Sequence, residues 1–129
     1  MSQKQSKSSP PKSKVGSIGE QAAASYLLSK HFRILERNFK ARYGEIDIVA
    51  RDGNTLVFVE VKTRCTASFG SPELSVTPGK LRDVIQTAQY YVLLHPERNP
   101  DMRIDVVAIM LDPVSYAVTK LTHLVSVTS

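Results

Sequence analysis

A β-hairpin with charges set into apolar strands is the feature that most constrains this chain. Residues 44–50 and 55–62 are rich in β-branched and apolar side chains, and they flank the turn-forming pair Asp52-Gly53. The same strands carry three charged side chains, which are Asp47, Glu60 and Lys62. A charge inside a buried strand is costly unless it is paired, hydrated or bound to a metal ion. The hairpin therefore predicts both a sheet and a site of polar chemistry within it.

The strand register decides whether these charges meet. An Asp-Gly turn predicts that Ala50 pairs with Thr55, which makes Asp47 and Glu60 diagonal neighbours about 7–8 Å apart. Because side chains alternate between faces, one face is then charged and the other apolar. The charged face is predicted to hold Glu45, Asp47, Glu60 and Lys62, and the apolar face Ile46, Ile48, Val57, Val59 and Val61. A three-residue loop would instead separate the two carboxylates onto opposite faces.

Two neighbouring carboxylates beside a lysine are suited to binding Mg²⁺ for phosphodiester hydrolysis. Asp47 and Glu60 would repel each other, and a Mg²⁺ ion removes that penalty while keeping several waters. Lys62 can orient or help to deprotonate an attacking water, or stabilise the transition state. The ordinary alternative is an ion pair of Glu60 with Lys62 on a solvated sheet, worth about 0.2–1 kcal/mol. The placement of Asp47 and the apolar surroundings of Glu60 favour the metal site.

Periodicity and turn signals predict the other elements. The predicted elements are helices over residues 16–30 and 77–94 and strands over 32–39, 44–50, 55–62, 102–111 and 114–119. Residues 63–76 are predicted to be a long loop, and residues 121–127 are ambiguous. Thr77 is the expected cap of the second helix, with Pro78 at its first position. A meander followed by a helical crossover predicts an α/β fold with a mixed sheet flanked by helices.

Positive charge is concentrated at the N-terminus. The net charge is +5, and residues 1–14 contain no acidic residue and four lysines, which are Lys4, Lys7, Lys12 and Lys14. We predict a disordered basic tail over residues 1–14, either contacting nucleic acid or serving only as a solubilising leader, and a single domain over residues 15–129. The chain has one cysteine, no apolar leader and no run of about 20 apolar residues. These features predict a cytoplasmic protein without membrane association.

Two segments of the hairpin carry a resemblance to a known family. Gly44-Glu45-Ile46-Asp47 and Phe58-Val59-Glu60-Val61-Lys62 resemble the motifs of the YraN-like family of small bacterial proteins. The likeness continues through residues 16–20, Ala23, Asn38 and residues 103–107, and it spans roughly residues 15–112. That family is assigned to the restriction-endonuclease-like, PD-(D/E)xK nuclease superfamily, and it is similar to archaeal Holliday junction resolvases. Ile46 stands where the superfamily motif has proline.

The resemblance implies a fold and a set of site residues. It implies the core order α-β-β-β-α-β, with Asp47 and Glu60 as metal ligands and Lys62 as the catalytic lysine. Glu20 matches an acidic position that completes the site, although Ser17 and Glu20 also fit a capping box at the start of the first helix. Gln86 and Tyr90 lie one turn apart on the second helix and match an accessory element of some superfamily nucleases. Glu45 is a further accessory candidate.

The expected activity is that of a Mg²⁺- or Mn²⁺-dependent endonuclease. The expected substrate is DNA rather than RNA, including branched or flapped structures of DNA repair and recombination, and the resemblance implies a homodimer. Cations that could follow a phosphate backbone are Arg42, Arg64, Lys80 and Arg82. The alternative function is a catalytically inactive nucleic-acid-binding module with a vestigial nuclease site. Asp105 interrupts an apolar strand, and its role in the core or in the site is left open.

Overall fold

Five strands form one mixed sheet, and a helix packs on each of its faces. The structure is a computed structural model, and it describes residues 12–65, 77–97 and 101–128. The elements are α1 (Lys12–Ser29), β1 (Arg33–Ala41), β2 (Gly44–Asp52), β3 (Thr55–Cys65), α2 (Pro78–Leu94), β4 (Met102–Leu111) and β5 (Val118–Leu124). The strands lie in sequence order, with β3 and β4 parallel and the other neighbours antiparallel. The predicted α/β class and mixed sheet are confirmed.

The two faces of the sheet carry separate apolar cores. Val57 and Val59 of β3 point to α1 and pack with Ala23, Ala24 and Leu27. Between them, Phe58 points to α2 and packs against the buried ring of Tyr91, with ring centres 5.6 Å apart. Because a fully buried apolar side chain contributes about 1.5–3 kcal/mol, both helices are held mainly by this packing. Neither described helix is long and apolar enough to cross a membrane.

The first helix begins earlier than its sequence signals indicate. α1 begins at Lys12, so Ser17 lies inside the helix and the predicted capping box with Glu20 is wrong. Val15, upstream of the predicted start, packs against the core on this face, which extends the buried stripe of the helix by one turn. The predicted tail therefore overlaps α1 over residues 12–14, and the rest of it lies outside the described residues.

Strand pairing changes two further bounds. β3 continues to Cys65 because its parallel register with β4 extends to the pair of Cys65 with Leu111, so only residues 66–76 of the predicted loop lie outside the described residues. The last strand is β5, so an edge strand follows β4 as predicted, but it begins at Val118 and the predicted start at residue 114 is wrong, because residues 114–117 lie before it. Asp112 Oδ2 accepts hydrogen bonds from the N–H groups of Val114 and Ser115 at 2.9 and 2.8 Å, which holds that segment in a turn.

Candidate active site

The candidate site lies where β2 and β3 stop pairing. Their register runs from Asp52 with Thr55 to Ile48 with Val59. The next N–H group that faces β2 is that of Val61, and it donates to Asp47 Oδ2 at 2.7 Å. In a continued ladder this group would bond to a backbone carbonyl of β2. The Asp47 carboxylate therefore replaces a backbone acceptor and is held between the two strands.

The hairpin turn differs from the predicted one by one residue. Asp52 pairs with Thr55, so the two connecting residues are Gly53 and Asn54. Gly53 has a φ of 62°, which suits the first central position of a type II′ turn. Asp52 is kept in the strand by Arg103, whose Nη2 donates to Asp52 Oδ2 at 3.1 Å.

This turn shifts the predicted register by two residues. Ala50 pairs with Val57 instead of Thr55. Asp47 and Glu60 are therefore the next residues after the last strand pair, and the predicted diagonal relationship is wrong. A two-residue shift leaves every side chain on its face, so the grouping of Asp47 with Glu60 does not depend on the error.

The alternation of β2 breaks at Asp47. Ile46 packs with Phe39 in the core beneath α2, whereas Ile48 packs in the core beneath α1. The prediction that both isoleucines share one apolar face is therefore wrong for Ile46. On β1, Asn38 lies between the residues that pair with Ile46 and Ile48, and its φ of 56° marks a local bend. The break leaves Asp47 in reach of charges on both sides of the sheet.

Three neighbouring carboxylates act on Asp47. Burial, and next the negative charge of Glu60, raise the pKa of Asp47 to about 7. The hydrogen bond from Val61 opposes this increase, and the charges of Glu20 and Glu45 add to it. The structure therefore brings together four of the predicted site residues, one from α1, two from β2 and one from β3.

Two lysines act on Glu60. The Glu60 residue is only 8% exposed, and Lys80 Nζ lies 3.4 Å from its Oε2. Burial raises the pKa of Glu60, while the positive charges of Lys80 and then of Lys62 oppose the increase. Lys62 lies two residues after Glu60 on β3, and it is therefore on the same face, as predicted. Lys80, which was predicted to contact DNA, forms an ion pair with a site carboxylate in this structure.

Gly19 explains how Glu20 reaches the site from α1. A Cβ atom at Gly19 would overlap Thr63 Oγ1 and would lie 2.8 Å from Thr63 Cβ. Glycine is therefore required for α1 to lie this close to β3, just beyond Lys62. Glu20 also faces Arg37, whose Nη2 lies 3.9 Å from Glu20 Oε1. A glycine inside a helix costs about 1 kcal/mol of stability relative to alanine. The presence of Gly19 inside the predicted helix was therefore the sequence feature that could have indicated a close contact there.

The start of α2 fixes the position of Lys80. Thr77 Oγ1 accepts a hydrogen bond from the Lys80 N–H at 3.1 Å, and Pro78 occupies the first turn. The predicted cap of this helix is confirmed. Such a cap stabilises a helix by about 1 kcal/mol.

The remaining candidates lie on the surface. Arg42, Arg64 and Arg82 are exposed, and the Arg42 guanidinium lies 5.8 Å from the centre of the Tyr43 ring. Gln86 and Tyr90 are exposed on α2, where the Tyr90 ring lies 6.3 Å from the ring of Phe39. In the described part of the chain, no hydrogen bond or ion pair links these five residues to the four carboxylates.

The donor set is compatible with Mg²⁺. Within residues 14–65, 77–97 and 101–128, no three His, Cys, Asp or Glu side chains are grouped so that they alone could hold a metal ion. Mg²⁺ commonly binds through one or two carboxylates and keeps several waters, so Asp47 and Glu60 are a sufficient pair. The negative charge that raises the pKa of Asp47 is charge that a divalent cation would neutralise.

A second polar cluster lies away from this site. Asp105 is fully buried, and its carboxylate accepts from Arg103 Nε at 3.1 Å and from the Ser126 N–H at 3.0 Å. His123 Nε2 lies 2.8 Å from Asp105 Oδ2, and His123 Nδ1 lies 3.0 Å from the Tyr26 hydroxyl. Asp105 therefore joins β4, the segment after β5 and α1, which assigns it to the core.

Together the fold and the site define a small mixed α/β protein with a carboxylate and lysine cluster at the open end of a β-hairpin. A family model described as Uncharacterised protein family UPF0102 matches residues 19–109, which include every residue of that cluster. The chain belongs to this family, so the resemblance to YraN-like proteins is confirmed.

Bacterial relatives are similar over most of their length. A UPF0102 protein of Geotalea daltonii is 47% identical over 110 residues, which are 85% of each chain. One from Geobacter sulfurreducens is 50% identical over 97 residues, covering 75% of this chain and 76% of the relative. One from Syntrophomonas wolfei is 42% identical over 112 residues, covering 87% and 95%.

Proposed function

We propose that this protein is a metal-dependent endonuclease that hydrolyses phosphodiester bonds in DNA, with a core of the restriction-endonuclease-like, PD-(D/E)xK type. The observation that carries the proposal is the position of Asp47 and Glu60 at the open end of β2 and β3, where burial, and next the charge of Glu60, raise the pKa of Asp47 to about 7. Carboxylates whose pKa is strongly raised by burial and by neighbouring charges are typical of functional sites. The element order through β4 is α-β-β-β-α-β, which supports the proposed core.

The chain's own residues have separate roles in this proposal. Asp47 and Glu60 hold a Mg²⁺ or Mn²⁺ ion, which when bound lowers the pKa of a water and neutralises charge on the phosphate. Lys62 lies on the same face as Glu60, where its ammonium group orients the attacking water and stabilises the transition state. Glu20 adds a carboxylate from the opposite helix, and Glu45 adds negative charge that favours cation binding.

Substrate contact relies on individual arginines rather than on bulk charge. Four of the five excess positive charges lie in residues 1–14, so the remainder of the chain is nearly neutral. Arg42, Arg64 and Arg82 are exposed cations available to phosphates. We therefore propose that these arginines contact the phosphates of branched or flapped DNA close to the site.

A cleavage assay tests the proposed function. Purified protein is incubated with labelled linear, flapped and four-way DNA in Mg²⁺ or Mn²⁺, together with the Glu60→Gln and Lys62→Ala variants. Each variant is expected to lose activity by at least about 100-fold, the usual effect of removing a group that stabilises the transition state. Glu36→Gln on β1 and Lys120→Ala on β5 are matched changes, and both variants are expected to cleave normally. Tight binding without any cleavage by the wild type would instead support an inactive nucleic-acid-binding module.

A further inference from the structure

Lys80 forms an ion pair with Glu60, the carboxylate that is proposed to bind the divalent cation. Its Nζ lies 3.4 Å from Glu60 Oε2. We propose that Lys80 is a displaceable counter-ion: it neutralises Glu60 when no cation is bound, and it turns toward the substrate phosphate when a divalent cation takes Glu60. This inference rests on the proposed function and describes regulation of the same site.

The two partners differ in their access to solvent. The Glu60 side chain is 10% exposed, whereas the Lys80 side chain is 41% exposed. Glu60 is fixed within β3, which is paired with β4 on either side of it. Lys80 reaches inward from the solvent side on a flexible four-carbon stem. Of the pair, the lysine is the more exposed partner, and its side chain can turn out into solvent while the sheet stays in place.

The backbone of Lys80 is anchored, so its movement is confined to the side chain. Thr77 caps the first turn through the Lys80 N–H, and Tyr91 packs on Phe58 further along α2. The ammonium group therefore swings about a fixed point beside the carboxylates. This anchoring keeps Lys80 within reach of a phosphate placed at the site.

Lys80 and a divalent cation compete for the carboxylate of Glu60, because both are positively charged. A lysine ammonium and a divalent cation on the same carboxylate repel each other strongly at about 4 Å. Because a divalent cation would neutralise Glu60 in its place, releasing Lys80 toward solvent does not leave the buried carboxylate unpaired. Lys62 also acts on Glu60, but its charge comes second to that of Lys80. Removing Lys80 is therefore expected to expose a stronger cation site.

Direct measurement of Mn²⁺ binding tests this inference without relying on activity. Isothermal titration calorimetry with MnCl₂ is performed on the wild-type chain and on the Lys80→Met, Lys80→Arg and Arg82→Met variants. Lys80→Met is expected to bind Mn²⁺ about tenfold more tightly than the wild type, because the competing charge is absent. Lys80→Arg restores the charge and is expected to return to wild-type affinity. Arg82→Met removes an exposed cation one residue beyond Leu81 and is expected to leave the affinity unchanged.

Binding of DNA by the Mn²⁺-loaded protein gives the second measurement. Lys80→Met is expected to bind a flapped duplex more weakly than both the wild type and Lys80→Arg, because its side chain has no positive charge to contact phosphate. A merely structural role for Lys80 would lower the melting temperature without tightening Mn²⁺ binding, and that result would overturn the inference.

Two further variants separate failure of this inference from failure of the proposed function. Suppose that wild-type Mn²⁺ binding is abolished by Asp47→Asn and Glu60→Gln but is unchanged or weaker in Lys80→Met. The counter-ion role would then be wrong while the metal site stands. If neither the wild type nor Lys80→Met binds Mn²⁺ in a way that depends on Asp47 and Glu60, both proposals are overturned.

Discussion

The backbone N–H of Val61 donates to Asp47 Oδ2 at 2.7 Å. Val61 lies two residues beyond Val59, the last residue of β3 that pairs with β2. A side-chain carboxylate thus takes the place of a carbonyl in the sheet ladder. The same hydrogen bond holds Asp47 beside Glu60. The candidate site therefore begins at the point where the pairing of β2 with β3 ends. The hydrogen bond stabilises the charged form of Asp47, but burial and the neighbouring carboxylates outweigh it.

Asp47→Asn is expected to stabilise the metal-free protein, and more so at high pH. The pKa of Asp47 is about 7 in the folded protein and 3.8 as the ordinary value. Between these values the folded state binds a proton that the unfolded chain has lost, so stability falls as pH rises through this window. Asparagine does not ionise and can still accept from Val61. Urea unfolding in EDTA should show the advantage of the variant growing by about 2–3 kcal/mol from pH 5 to pH 8.

Glu36→Gln is the control for that series. Glu36 lies on β1, and no pH-dependent change relative to the wild type is expected over the same window. An advantage of Asp47→Asn that is the same at pH 5 and pH 8 would contradict the charge repulsion described for the site.

Gly19→Ala is expected to destabilise the protein by about 1–3 kcal/mol. The added methyl group would overlap Thr63 on β3, and an overpacked contact between a helix and a strand forces one of them to move. Gly16→Ala is the matched control on α1, because a Cβ at Gly16 meets nothing within 4 Å. That control is expected to stabilise by about 0.5–1 kcal/mol through helix propensity. Equal effects of the two changes in thermal unfolding would rule out the close approach at Gly19.

Asp105→Asn is expected to cost about 3–5 kcal/mol of unfolding free energy. The change removes the charge that a fully buried carboxylate offers to Arg103, and leaves that guanidinium and His123 without their buried partner. Asp52→Asn also breaks an ion pair with Arg103, but Asp52 has a side chain that is 46% exposed. Its cost is expected to stay below about 1 kcal/mol. Chemical denaturation of both variants compares them, and a cost for Asp105→Asn no larger than that for Asp52→Asn would contradict its place in the core.

Local signals predicted those parts of the fold that depend on neighbouring residues. The cap at Thr77 and the apolar run of β4 are set by adjacent side chains, and both are found where they were predicted. The hairpin register was wrong because two local turn signals overlap, Asp52-Gly53 and Gly53-Asn54, and the second of them forms the turn. The ion pair of Asp52 with Arg103, which lies 51 positions further along the chain, adds a long-range contact at the end of this register.

Long-range packing also decided the composition of the site. Glu20 fits a local capping pattern, yet α1 extends upstream of Ser17 and presents Glu20 to Asp47 instead. Lys80 resembles a surface cation in sequence and becomes a partner of Glu60 only when α2 is placed on the sheet. The hairpin therefore indicated the kind of chemistry, whereas the tertiary fold determined which charges surround it.

Removing each neighbouring carboxylate is expected to lower the pKa of Asp47 in a fixed order. Glu60 has the largest effect of the charges that raise it, followed by Glu20 and then Glu45. Substitution of each glutamate by glutamine removes one negative charge with little change in shape. The pKa of Asp47 can be measured from the ¹³C chemical shift of its carboxyl group during a pH titration of metal-free protein. The decrease should be greatest for Glu60→Gln, smaller for Glu20→Gln and smallest for Glu45→Gln, with no change for Glu36→Gln. A decrease for Glu60→Gln alone would mean that α1 does not bring Glu20 to the site, and the site would then be confined to the hairpin.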